Sequence, residues 1–148
     1  MALHHASPTT FLEGVHCVLT IERPRPGVVV VTFSGTDVGE FGDRPFRQLE
    51  QGLDSRRPLD LFIDARAGKS ASIDVSSEWA QWLRDHRDHL RCVHMLTATR
   101  FIQLSADLVR RYAGLEDRMR LYTSPVAFAE ALLVVGRADR GPSERPAA

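Results

Sequence analysis

Val15, Cys17, Leu19 and Ile21 are apolar at every second position, with His16, Thr20 and Glu22 as polar partners. That alternation predicts a half-buried strand. Pro24, Pro26 and Gly27 predict a turn, and Val28 to Phe33 (VVVVTF) is a β-branched run suited to a strand covered on both faces. So short a connection predicts an antiparallel hairpin. Ser34 to Thr36 read as the start of a loop. A helix is expected near Asp43, a good N-cap, with Pro45 in its first turn and Phe46, Leu49 and Leu53 as its apolar stripe. After Pro58, Leu59 to Ala65 predict a second buried strand, and Arg66 to Asp74 a loop at its carboxyl end.

The period then changes. Trp79, Trp82, Leu83, His86 and Leu90 recur at helical spacing, predicting a helix over about 76–90. Cys92 to Ala98 read as a strand. Arg100 to Ala113 read as a helix burying Phe101, Leu104, Leu108 and Tyr112, with Gly114 at its C′ position. Met119 to Thr123 give a last strand. Ser124-Pro125 starts a last helix with Phe128, Ala131, Leu132 and Val135 on its inner face. Residues 1–13 read as a flexible leader and 137–148 as a disordered tail, which leaves 14–136 as one unit. The order β-β-α-β-α-β-α-β-α predicts an α/β fold. Its five-stranded sheet is mostly parallel, with one antiparallel edge strand and helices on both faces.

Composition narrows the class. The chain has 148 residues, enough for one real core, and nineteen basic residues balance nineteen acidic ones. A neutral chain has no overall field to draw nucleic acid or an anionic membrane. Its basic residues are Arg except Lys69 and are scattered along the chain. No apolar run is long enough to span a bilayer, and the first residues lack the basic and apolar regions of a secretory signal. Cys17 and Cys92 make no disulfide framework, so a cytoplasmic location is expected.

The order of elements over residues 15–136 resembles the STAS domain, the fold of bacterial anti-sigma-factor antagonists and related SpoIIAA-like proteins. A local likeness is Asp74-Val75-Ser76-Ser77-Glu78, following the strand that ends Leu61-Phe62-Ile63-Asp64. It is similar to the D-S-S-G-like motif that carries the phosphorylated Ser or Thr in such antagonists. Here Val75 stands for the first Ser and Ser77 for the Gly. The resemblance implies a non-enzymatic, phosphorylation-switched module that binds a regulatory protein, such as a kinase or an anti-sigma-like factor. It implies Ser76 as acceptor, Ser77 as neighbour, and Asp74, Trp79 and Trp82 as partner contacts.

Plainer roles and other candidate chemistry stand beside these. Asp74, Ser76 and Ser77 suit plain N-capping, and Trp79 and Trp82 suit core packing. Gly68-Lys69-Ser70 follows a strand as a P-loop does, but Ile63 stands where the first P-loop Gly belongs. Gly35, Gly39 and Gly42 miss the dinucleotide spacing and read as a loop needing positive φ. His86, His89, Cys92 and His94 cluster in nine residues without a metal motif. No nucleophile, base and orienter come together, so neither an enzyme nor a cofactor is expected. The alternative function is a small-ligand domain for a nucleotide or lipid-like molecule, using Ser34, Asp64, Ser70 and Thr99 at the carboxyl edge of the sheet. An exposed edge strand is also a standing route to homodimerisation.

Overall fold

A computed structural model describes residues 9–53 and 56–140. The elements are β1 (Thr9–Glu13), β2 (Cys17–Arg25), β3 (Val28–Asp37), α1 (Arg44–Glu50), β4 (Leu59–Ala71), α2 (Ile73–Asp85), β5 (Leu90–Thr97), α3 (Arg100–Ala113), β6 (Met119–Tyr122) and α4 (Pro125–Arg140). A short 3-10 turn, Arg87–His89, joins α2 to β5. The six strands form one sheet in the order β1-β2-β3-β4-β5-β6. The β1–β2 and β2–β3 pairs are antiparallel, and the other three pairs are parallel.

This topology sorts the helices. Right-handed crossovers between successive neighbouring strands put α1, α2 and α3 on one face. There Val29, Val31, Leu61, Ile63 and Val93 of the sheet pack with Leu49, Trp82, Leu83 and Ala106. The alternate positions Val28, Phe62 and Leu96 point the other way and meet Phe128 of α4. Both faces of β3 and β4 are therefore covered, which is why VVVV and LDLFI carry almost no polar positions. Asp60 is the exception. It is buried and ion-paired with Arg91, which offsets the cost of holding a carboxylate there.

The structure corrects several expectations. Thr9–Glu13, placed in the leader, are β1 and pair along β2 from Thr9↔Glu22 to Glu13↔Val18. Thr9, Thr10 and Glu13 are polar, Phe11 is exposed and only Leu12 is buried, so the strand has little apolar signal. The sheet thus has six strands. Residues 1–8 of the expected leader and 141–148 of the expected tail lie outside the described residues, while the backbone of 137–140 continues α4. Ser34 to Thr36 and Gly68-Lys69-Ser70, expected in loops, pair as strand: Ser34↔Ala67, Gly35↔Gly68 and Thr36↔Ser70. Two register shifts interrupt this extension of β3 and β4, which explains its irregular sequence. Gly35 is required there: its φ is +88° and a Cβ would lie 2.2 Å from the His16 carbonyl oxygen.

The helix α3 is turned differently from the expectation. Phe101, Leu104, Leu108 and Tyr112 are exposed, and Ile102, Ala106 and Ala113 face the core with Val109 partly buried. Both stripes have helical spacing. The small alanines let the helix lie close to the sheet, and the bulkier stripe faces outward.

Candidate functional site

The first turn of α2 is built by Ser72. Its Oγ accepts the Val75 N–H at 3.1 Å, and its carbonyl accepts the Ser76 N–H at 2.9 Å. Ser72 itself is anchored by its N–H to the Asp37 carbonyl at 2.9 Å, tying the helix to the end of β3. The helix therefore begins before the expected position, and the capping role expected of Asp74, Ser76 or Ser77 belongs to Ser72. Asp74 lies exposed in the first turn, where a negative charge is favourable against the helix dipole. Ser77 is exposed and Ser76 half-buried.

The two tryptophans part ways. Trp82 is buried against the core and its indole N–H donates to Glu50 Oε2 at 3.0 Å. It is also stacked on His86, with ring centroids 4.3 Å apart. Trp79 is partly buried and meets Phe46 edge-on at 5.0 Å. Neither indole stands free on the surface; Trp79 is the less buried.

Next to Ser76 and Ser77 lies the outward stripe of α3. Phe101, Leu104, Leu108 and Tyr112 are each at least half exposed. Between α2 and α3 runs a surface groove of about 450 Å³, lined by Ile73, Ser76, Ser77, Phe101, Leu108 and Tyr112 among others. Its far end is closed by polar contacts. Tyr112 OH donates to Gln81 Oε1 at 2.8 Å, and Arg84 donates to the Tyr112 carbonyl at 3.0 Å. Contiguous exposed apolar surface beside a polar border is the usual mark of a binding face. The sequence contained the signal, two apolar stripes on α3, but the bulkier one was read as core.

The residues expected at the carboxyl edge of the sheet each have a structural partner. Thr99 caps α3, its Oγ1 accepting the Ile102 N–H at 3.2 Å. Ser70 Oγ bonds Thr36 Oγ1 at 3.3 Å inside the β3–β4 extension, where Ser34 also pairs. Asp64 is held by Arg66 at 2.8 Å. Burial pushes its carboxyl up, but the hydrogen bonds and charge of Arg66 outweigh this and hold it below its ordinary value.

The remaining candidates read structurally. Gly35, Gly39 and Gly42 all have the expected positive φ, Gly35 within β3 and Gly39 and Gly42 in the turn that follows it. Among the described residues no group of three His, Cys, Asp or Glu side chains is placed to hold a metal ion. His86 Nδ1 is engaged by the Trp82 carbonyl at 2.8 Å. His94 is buried on the other face of the sheet, against Phe62 and Tyr122. Burial, with the negative charges of Asp37 and Glu40, pushes the Cys17 thiol up to about 11, and burial raises Cys92 as well. Neither is an activated nucleophile. No helix among the described residues is long and apolar enough to cross a membrane.

No protein-family model and no curated protein matches the sequence. Solved structures do match in fold. An uncharacterized DUF3478-family protein with a SpoIIAA-like fold from Shewanella loihica PV-4 aligns with a TM-score of 0.60 at 12% identity, covering 82% of this chain and 98% of that one. An anti-sigma factor antagonist from Mycobacterium paratuberculosis aligns with a TM-score of 0.50 at 17% identity, covering 85% of this chain and 95% of that one. At such identities the likeness is one of architecture, and the chain has a SpoIIAA-like fold.

Proposed function

We propose that this protein is a non-enzymatic regulatory module that docks a protein partner on α2 and α3 and is switched by phosphorylation of Ser76 or Ser77. The observation that carries the reading is the apolar stripe of Phe101, Leu104, Leu108 and Tyr112 beside two serines in the first turns of α2. The anti-sigma factor antagonist among the structural neighbours supplies the kind of partner, a regulatory protein. The docking elements are Asp74, Ser76, Ser77 and the α3 stripe. Trp79 contributes only its partly buried edge, and Trp82 acts from the core.

A phosphate adds nearly two negative charges. On Ser77 it would stand exposed beside Asp74 and Glu78; on Ser76 it would stand in the groove wall. Either placement puts charge where a partner's apolar surface would rest, so phosphorylation releases the partner. The test begins with phosphosite mapping of the protein from its own cells, followed by crosslinking to identify the partner. Binding of that partner is then measured for serine and stripe variants. Ser76→Asp or Ser77→Asp is expected to abolish binding while the alanine variants preserve it, and Leu104→Asp is expected to abolish it regardless. Equal binding by the aspartate and alanine variants refutes the switch. Undiminished binding by Leu104→Asp refutes the docking face.

A further inference from the structure

A second space lies inside the groove. Beneath α2 and α3, against the sheet, lies a cavity of about 100 Å³. Its walls include Phe33, Trp79, Leu83, Met95, Ile102 and Val109. Protein interiors are close-packed, and voids larger than a water molecule are few. This one is two-thirds the size of the ~150 Å³ apolar cavity that stays dry and takes benzene. It is not sealed. Ala71, Ser76, Ser105 and Val109 line both the cavity and the surface groove, so these four side chains are the wall the two spaces share. Outside that wall stand Ile73, Phe101 and Leu108, all exposed.

We infer that the two spaces open into one another at this shared wall and together bind one straight aliphatic chain, tail inward, with its head group left at Ser76 and Ser105. The class of ligand follows from shape and charge. The inner space is too small for a bulky ring system, whereas an unbranched chain can pass between two helices and fill both cavity and groove. The lining includes one carboxylate, Asp37, whose Oδ1 accepts the Gly39 N–H at 2.9 Å. An anionic head would meet that negative charge inside, so the head stays outside. At the junction the polar groups are neutral hydroxyls, with Ser77 and Gln81 further along the groove. They favour a neutral or weakly polar head over a bare apolar end. Ser76, Ser105 and Val109 of the two helices, with Ala71 at the end of β4, would then form the ligand's point of entry.

This inference is independent of whether a protein docks on α3. The probe is 11-bromoundecan-1-ol, whose terminal bromine quenches a nearby indole. Trp79 lines the cavity and Trp82 does not, so tryptophan fluorescence reports entry. Saturable one-to-one quenching is expected from the brominated alcohol and none from undecan-1-ol. Trp79→Phe should remove the response. Ser105→Phe, which blocks the junction from a half-buried position, should weaken binding by about tenfold or more. Ser76→Leu serves as the second blocking variant if Ser105→Phe does not fold. Absence of saturable quenching up to the solubility limit overturns the inference. So does quenching unchanged by blocking the junction, which would place the chain on the outer face of α3. Binding of bromobenzene without binding of the bromoalcohol would likewise overturn it, since the cavity would then be a closed pocket for a compact ring.

Discussion

Acid should unfold this protein partly through His94. The residue sits on β5, only 4% exposed. Its ring lies parallel to Phe62 with centroids 4.2 Å apart, and Nδ1 is 2.8 Å from the Tyr122 hydroxyl. Among the described residues no group hydrogen-bonds the buried Nε2, so a second proton on the ring would enter an apolar pocket. Burial depresses the folded pKa from 6.5 to about 4. The nearby charge of Asp60 pulls it up and that of Arg120 pushes it down. Between these two values the unfolded chain binds the proton and the folded chain does not, so stability falls as pH falls. The shift of 6.5 − 4, about 2.5 units, corresponds to roughly 3 kcal/mol at ~1.36 kcal/mol per unit. That contribution is intact above pH ~6.5 and exhausted near pH 4, with roughly 2 kcal/mol gone by pH 5. The assay is urea unfolding at pH 7 and pH 5 for the wild type and for His94→Phe, which keeps a flat ring against Phe62. Comparing the two proteins cancels the other titrating groups. The wild type should lose roughly 2 kcal/mol more than the variant over this range. Losses that agree within about 0.5 kcal/mol would refute the reasoning.

Two further predictions test how the helices are held. Ser72→Ala should cost about 1 kcal/mol of stability by removing the cap on α2, while Ser77→Ala should leave the denaturation midpoint nearly unchanged. Leu61→Ala, in the fully buried centre of β4, should cost about 2–5 kcal/mol in urea unfolding, whereas Leu104→Ala on the outer stripe of α3 should stay within about 0.5 kcal/mol. A comparable cost at the two leucines would mean that α3 is turned as its bulkier stripe first suggested.

Much of the fold was legible because local and long-range signals agreed. The β-branched run at Val28, the cap at Ser124, whose Oγ accepts the Ala127 N–H at 3.2 Å, and the left-handed Gly114 after α3 are each decided within a few residues. Where they parted, the misreading has a physical cause. On α3 two stripes compete, and the choice between them depends on how closely the helix approaches the sheet, which side-chain size along one segment does not reveal. Asp43 looked like a capping side chain, but its carboxylate pairs with Arg47 at 2.9 Å and caps nothing. The Gly68-Lys69-Ser70 segment has the composition of a turn and becomes strand because β3 runs alongside it. The serines of the candidate site were found in sequence. The groove beside them was not, since it is made by two helices separated by a strand.

The strand order carries a consequence for how the chain folds. Among the described residues every strand after β1 hydrogen-bonds to the strand before it in sequence, and no pairing skips a strand. Each addition closes a loop no longer than one crossover, and the entropy of closure grows only slowly with loop length. The sheet can therefore grow outward from the central β3–β4 pair, one neighbour at a time, which keeps the sequence separation of its contacts low for a parallel sheet. The same order makes β1 a late and separable addition. Opening that edge would break one ladder of hydrogen bonds and leave the parallel core and the α2–α3 face standing, so amide exchange should run faster in β1 than in β4.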